Sequence, residues 1–441
     1  MASLNVPREI IAIIASLSDT ETLKALRLTN HMLCAFATKS VFSTVSLYTD
    51  DKSCEAFESV ITHPQLKEYV HKVRLNTVEV DFESDEEHNE LELPLKWKEL
   101  LPMLPKIPNL ESVMLRFDKN ATIADDYPAA PQSVDYRETI IQWLGTALVS
   151  LERPLKELGI QNQQNVTPLS NDFQRILGTL SSLRLNVAHT TDSMCPENEL
   201  EVCTYSSPEE VAEFHERILP SVWLKPTMGS LRKLSLYSNL YWGFYPKLQL
   251  EGIHCPNLQS LALGKFTFFE DQQLDWILSH SSTLEELYLD DCSILIQTKV
   301  VNANYQLSKC PIPESRMKLR RPGQWGDDWS YHYPRRWNDY FASFGTGLPH
   351  LRRFAIGHNE GWDSYPYEVP FEKELDLVPA LMRDRYMEFD GGMGPSQLLS
   401  PRSDPQAEHW PQCDDEDREA LKALYGKIKQ QVDCGEFDGG G

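Results

Sequence analysis

The sequence predicts an α/β fold: a short helical module at the N-terminus, then a long stack of parallel strands joined by helical or loop returns. Three observations carry this expectation. The phrase Leu-x-x-Leu-x-Leu occurs at Leu231, Leu258 and Leu284, with starts 27 and 26 residues apart. Looser copies begin at Val70, Leu110, Leu155, Leu180 and Leu351, so eight short strands are expected. Between the phrases lie runs with apolar residues at helical spacing, such as Ile140, Ile141, Leu144 and Leu148.

The N-terminal module reads as short amphipathic helices. Pro7 suits a first helical turn, which needs no backbone N–H, and Ile10, Ile13, Ile14 and Leu17 then recur at i, i+3, i+4 and i+7. Ser18-Asp19-Thr20-Glu21 offers a hydroxyl or carboxylate cap for the next helix. Leu23, Leu26, Phe36 and Phe42 carry an apolar face on to residue 42.

Over residues 4–47 this pattern resembles an F-box, the module by which substrate receptors join Skp1–cullin–F-box ubiquitin ligases. Val6-Pro7, Glu9, the Ile10/Ile13/Leu17 stripe, Leu23-Lys24-Ala25-Leu26-Arg27-Leu28, Phe36 and Phe42 carry the resemblance. Val6 stands where Leu is commoner, and Phe36 where many members have Trp. The resemblance implies that Val6, Pro7, Ile10, Ile13, Leu17, Leu23, Leu26 and Leu28 bind a Skp1-type adaptor, some of them facing the module's own interior. Through that adaptor a cullin would be reached.

Phe42 to Leu47 alternates apolar and polar residues, as a half-buried strand does. Asp81, Glu83, Asp85, Glu86, Glu87, Glu90 and Glu92 then crowd one segment, which is expected to be a solvated loop. In the phrases themselves, alternate side chains of a short strand point inward, and the returns cover the apolar side. Neither element buries its face alone, so stacking is required. Tyr136 to Leu148 and Asp271 to Ser279 are expected returning helices. Asn239, Cys292 and Asn359 fall three residues after their phrases, where a side chain can bond the backbone turn. Residues 66–360 thus resemble a leucine-rich-repeat protein of irregular period.

Three parts follow: a helical module at 1–48, a solenoid at 49–370 with an insertion at about 294–347, and C-terminal helices and linker at 371–441. Phe371 to Met382 is expected as a closing helix, Asp390 to Pro411 as a linker, and Glu416 to Val432 as a last helix. The insertion concentrates Arg316, Lys318, Arg320, Arg321, Arg335 and Arg336 among Trp325, Trp329, Tyr331, Tyr333, Trp337 and Tyr340. Arg, Trp and Tyr dominate binding hot spots, so Arg316, Arg320, Arg321, Trp325, Trp329, Arg335, Arg336 and Trp337 are candidate contacts for a protein substrate. The competing expectation is that the rings pack over the solenoid's end and the arginines pair with Asp327, Asp328 and the acids near Asp414.

A net charge of −23 argues against binding a phosphate backbone, and nucleic acid is not an expected partner. Hydrophobic residues at 41% and charged ones at 24% are the composition of a globular chain. Nine cysteines without a Cys-x-x-Cys pair read as reduced thiols, with Cys255 and Cys292 buried beside their phrases. With no secretory signal and no apolar run of membrane-spanning length, the expected location is cytosol or nucleus. No nucleophile elbow, Walker loop or His-Glu-x-x-His is present, and His215-Glu216 lacks the second histidine. The paired Asp125-Asp126 and Asp327-Asp328 read as solvated loop residues. No catalytic residue, metal or cofactor is therefore expected. The functional expectation is a non-catalytic substrate receptor of a ubiquitin ligase. The alternatives are a repeat scaffold, or a Skp1-bound protein acting without ubiquitin transfer.

Overall fold

The computed structural model describes residues 7–29, 31–78, 93–119, 132–168, 170–188, 209–301, 310–321, 328–362, 369–381, 385–390, 398–399 and 411–432. The acidic segment 81–92 and the pairs at 125–126 and 327 lie outside these. Three helices open the chain, α1 (Arg8–Leu17), α2 (Thr20–Leu26) and α3 (His31–Val41). The Pro7 carbonyl accepts from the N–H groups of Ile10 and Ile11, starting the first turn. Asp19 caps α2 by accepting from the Thr22 N–H at 2.7 Å. Ala15, Leu23 and Ala37 form the small core on which all three pack.

The strands, in chain order, are β1 (Thr44–Leu47), β2 (Lys72–Asn76), β3 (Ser112–Arg116), β4 (Glu157–Gln161), β5 (Ser182–Val187), β6 (Lys233–Ser238), β7 (Ser260–Gly264) and β8 (Thr267–Phe268). They continue with β9 (Glu286–Asp290), β10 (Ser293–Val301), β11 (Lys318–Arg321), β12 (Asp328–His332), β13 (Arg353–His358), β14 (Val378–Pro379), β15 (Tyr386–Asp390) and β16 (Leu398–Leu399). The main sheet has ten strands in the order β1-β2-β3-β4-β5-β6-β7-β9-β13-β14, parallel up to β13 and antiparallel at β14. All eight Leu-x-x-Leu-x-Leu phrases, close and loose alike, supply its strands, and β1 precedes them.

One backbone device recurs at every step. The carbonyl of the residue before a strand accepts two N–H groups from the next strand's start. Ser43 O receives His71 and Lys72, His71 O receives Glu111 and Ser112, and Glu111 O receives Lys156 and Glu157. The series runs on through Lys156, Ser181, Arg232 and Gln259 to Glu285 O, which receives Arg352 and Arg353. Register is thereby identical at each step. Val45, Val73, Val113, Leu158, Leu183, Leu234, Leu261, Leu287 and Phe354 pair in one row, and Leu47, Leu75, Leu115, Ile160, Leu185, Leu236, Leu263, Leu289 and Ile356 in the next. Both rows are buried.

Helices cover that side of the sheet: α4 (Asp51–Thr62), α5 (Leu95–Leu100), α6 (Val134–Leu148), α7 (Asn171–Leu177), α8 (Glu209–Glu213), α9 (Asp271–Leu278) and α10 (Trp337–Gly347). Phe57, Trp97, Ile141, Phe173 and Ile277 from these helices join the strand rows in one core. α6 carries a residue that amphipathic patterning would leave outside. Arg137 is fully buried, donating to the carbonyls of Gln132 at 3.1 Å, Asp118 at 3.0 Å and Asn162, with its guanidinium over the Phe117 ring. Burial pushes its pKa down to about 10.

The insertion and the C-terminal region build a second sheet together, in the order β11-β12-β10-β15-β16 with β8 beside β10. Two expectations need correction here. Residues 371–381, the described part of the expected closing helix 371–382, are not a helix: they run through turns into β14, because the segment lies across the sheet and is held there by side-chain contacts. The last helix, α11 (Asp414–Ile428), starts two residues early and stops short of Val432. Of the expected linker 390–411, only the end of β15, β16 and residue 411 lie within the described residues.

A buried ion pair fixes α11. Asp417 is wholly inside and accepts from Arg385 Nε at 3.1 Å, Tyr386 Oη at 2.7 Å and the Asn338 N–H at 2.9 Å. Beyond the helix, the Gln430 amide accepts from the Phe354 N–H and donates to the Phe354 carbonyl, both at 2.9 Å, occupying the free edge of β13.

Leu261 sits at the centre of this arrangement, fully buried between Leu234 and Leu287. Leu261→Ala is expected to lower unfolding free energy by about 2–5 kcal/mol. Chemical denaturation of parent and variant checks this, and an unchanged midpoint would remove Leu261 from the core.

Candidate functional site

On the N-terminal module, α1 turns Ile11 and Ala15 inward, and Ala15 lets the helices approach closely. The Ile stripe therefore faces out. Ile10 is 46% exposed, Ile13 52%, Ile14 48% and Leu17 82%, with Leu28 at 88%. Pro7 is exposed beside them, whereas Leu23 is buried and Leu26 half-buried in the module's own core. Val6 lies outside the described residues. These side chains give α1 an apolar face that is open to solvent over about half of each isoleucine and most of Leu17.

The insertion behaves differently, because among its described residues Arg316, Arg335 and Arg336 and several rings make contacts within the chain. Arg335 Nε donates to Asp271 Oδ1 at 2.6 Å, and Tyr333 Oη donates to the same carboxylate at 3.0 Å. These bonds hold the Asp271 carboxyl below its usual range. Arg316 donates to Tyr331 Oη at 2.6 Å, lies over that ring, and stands 3.6 Å from Glu270. Arg336 donates to the carbonyls of Tyr333 and Arg335. The acids that pair with Arg316 and Arg335 are thus those at the start of α9, not the ones expected near Asp414.

Trp337 corrects the sequence reading outright. It is fully buried, its indole N–H donates to the Arg385 carbonyl at 3.0 Å, and it stacks on Phe341, so it cannot contact a substrate. Trp329 is half-buried against a small core that includes Val300 and Phe389. Arg320 is exposed on β11, while Trp325 and the Arg321 side chain lie outside the described residues.

The other face of the main sheet was missed by sequence reasoning. Strand alternation places Arg74, Met114, Gly159, Arg184 and Ser235 there in one row. Residues 369–376 lie on it like a finger. Phe371 enters a notch that only glycine allows: a Cβ on Gly159 would stand 2.2 Å from Met114 Sδ and 2.9 Å from the Phe371 ring. The Arg184 guanidinium lies 5.0 Å from that ring's centre, donates to the Phe371 carbonyl, and meets Glu374 Oε1 at 2.8 Å. Ser235 Oγ donates to the same carboxylate oxygen at 2.7 Å, and Tyr237 Oη to the Glu374 carbonyl at 2.7 Å. Further out, Gln161 Nε2 donates to the Val369 carbonyl at 3.1 Å and Arg74 meets Glu372 at 3.0 Å. Burial raises the Glu374 carboxyl, and Arg184 opposes the rise.

At the finger's root, Asp290 accepts from the Trp362 indole N–H at 3.0 Å and the Asn359 N–H at 3.1 Å, both on Oδ1. Its Oδ2 is buried, and desolvation pushes the carboxyl up to about 8. The Lys265 ammonium lies 4.3 Å from the Trp362 ring centre. Asn359 meanwhile donates to the Lys373 carbonyl at 2.6 Å, and Cys292 Sγ to that of Leu263. Asn162, not singled out from sequence, makes the equivalent bond to Phe117 O.

Elsewhere, a groove of about 460 Å³ between the 3-10 turn Leu101–Lys106 and α6 is lined by Leu101, Pro102, Pro105, Trp143 and Ala147, with Lys98 of α5 also lining it. Among the described residues, no three His, Cys, Asp or Glu side chains converge as metal ligands, and no helix is long and apolar enough to cross a membrane. Buried His215 and His280 are pushed down to about 4, and the buried Cys255 thiol up to about 11, which disfavours the thiolate. A scan against protein-family models finds no match to the chain, and a search of curated protein sequences finds none either.

The Asp290 carboxyl predicts a pH dependence. An acid that holds its proton more tightly when folded contributes stability in full below the unfolded value near pH 4, and loses it as pH rises through about 8. Asp290→Asn keeps an acceptor for both Oδ1 bonds and removes the titration. Its melting temperature should fall less than the parent's between pH 5 and pH 8.5. Parallel pH profiles would place the proton elsewhere.

Proposed function

We propose that the chain is a substrate-receptor subunit of a Skp1–cullin–F-box type ubiquitin ligase, with an F-box-like module before a leucine-rich-repeat-like domain. The observation that carries this reading is the outward apolar stripe of Ile10, Ile13, Ile14 and Leu17, continued by Leu28. Full burial of one such side chain contributes roughly 1.5–3 kcal/mol, so three or four on a partner offset the roughly 4–15 kcal/mol cost of association. The sequence of this stripe, with Pro7 before it and Leu26-Arg27-Leu28 after it, is what resembles the Skp1-binding module.

In this reading the chain supplies no reacting group. It raises the effective concentration of substrate lysines near an enzyme held elsewhere in the assembly. The stacked strands supply a rigid frame for a binding surface, as repeat proteins do. Such an assembly works in the cytosol or nucleus. Co-capture of a cullin separates it from a Skp1-bound protein that transfers no ubiquitin.

Ile13→Asp with Leu17→Asp tests the reading at exposed positions, where neither change disturbs the core. Capture of a purified Skp1-type adaptor should fall at least tenfold while the melting temperature stays within a degree or two. Undiminished capture by the folded variant would remove α1 from the interface.

A further inference from the structure

The finger on the inner face is held to the strands by side chains. Among the described residues, no backbone–backbone hydrogen bond joins 369–376 to β2, β3, β4, β5 or β6. The backbone groups of those strands are already used in the parallel ladder. Its polar contacts come from side chains reaching up to the finger's carbonyls and carboxylates: Gln161 to Val369 O, Arg184 to Phe371 O and Glu374, Tyr237 to Glu374 O, Arg74 to Glu372. Val369 and Leu375 add a small apolar contact with Tyr237, Ala262, Tyr288 and Trp362. One ring, Phe371, enters a notch opened by Gly159. The pattern of one aromatic anchor ringed by guanidinium–carboxylate pairs is that of a reversible recognition surface. A segment present only to close the sheet needs no buried Arg184–Glu374 pair, since apolar residues of similar volume often serve as well or better.

We infer that the inner-face notch formed by Arg74, Gly159, Arg184 and Ser235 is a binding site for an acidic peptide with an aromatic residue, and that residues 369–376 are its resident occupant. The ligand class follows from the occupant's chemistry. An aromatic side chain fills the notch, a carboxylate at the next position meets Arg74, and one at the third position beyond the aromatic meets Arg184 and Ser235, as in Phe371-Glu372-Lys373-Glu374. As a statement about substrates this rests on the proposed receptor role; as a statement about peptide binding it does not. A tethered segment acts at an effective concentration of about millimolar, so a partner in trans engages only when it outcompetes the finger or when the finger is weakened.

The test uses the full chain and a fluorescent peptide of sequence 369–376, with binding read by anisotropy in the absence of any adaptor. Phe371→Ala with Glu374→Gln weakens the finger and leaves the notch intact. This variant should bind the peptide at least tenfold more tightly than the parent. Adding Arg74→Glu should abolish that gain, and a peptide with its Phe replaced by Ala should not bind. Should the double variant melt too low to assay, Glu372→Lys replaces it. That position is half-exposed and sets like charge against Arg74, and the same tenfold gain is expected. Equal binding by the parent and the folded finger variant overturns the inference, as does a gain indifferent to Arg74→Glu. Loss of Skp1 capture by the separate α1 variant leaves this readout unchanged, so the two readings fail independently.

Discussion

The repeated double acceptor before each strand is the constraint from which the main sheet follows. Each carbonyl that takes two N–H groups fixes where the next strand begins relative to the last, from Ser43 through Glu285. Side chains alternate with a period of two, so a fixed start also fixes which side chains go under the helices and which go to the open face. Length variation is then confined to the returns. The phrase starts at Leu155 and Leu180 are 25 residues apart and those at Leu284 and Leu351 are 67, yet the strands they begin keep identical pairing.

The two sides of the sheet obey different chemistry. The covered side is a continuous apolar core in which Arg137 is the notable polar intrusion, made tolerable by three carbonyl acceptors. On the open side, Lys72, Arg74, Arg116 and Arg184 cluster over neighbouring strands in a chain whose net charge is −23. Acidic side chains of the finger answer part of that cluster. Glu157, on the strand between, answers Arg184 as well, at 3.6 Å.

Much of the strand arrangement was legible because leucine at fixed spacing leaves few solutions. The direction of α1 was not. Ile10, Ile11, Ile13, Ile14 and Ala15 give a helix apolar on most sides, and the side that packs is decided by the small Ala15 and by Leu23 and Ala37 on its neighbours. Phe371, Leu375 and Val378 have helical spacing, which suggested a helix, but Pro370 and Pro379 and the contacts to Arg184 and Tyr237 favour an irregular path. In the insertion, composition announced exposed anchors. Trp337 and Tyr340 went inside instead, because the second sheet and α11 together form a compartment around them that no local pattern reveals.

The last described edge of β13 is met by one side chain, Gln430. Its amide presents one donor and one acceptor to Phe354, the pair of groups that another strand's backbone would offer, so a single side chain closes the ladder where β14 no longer reaches. An uncovered strand edge recruits other chains. Because Gln430 lies beyond α11, it is synthesised after every strand it protects. A nascent or truncated chain ending before it carries an open template. Gln430 thus acts on the sheet's exposed edge only after the strand it covers has been made.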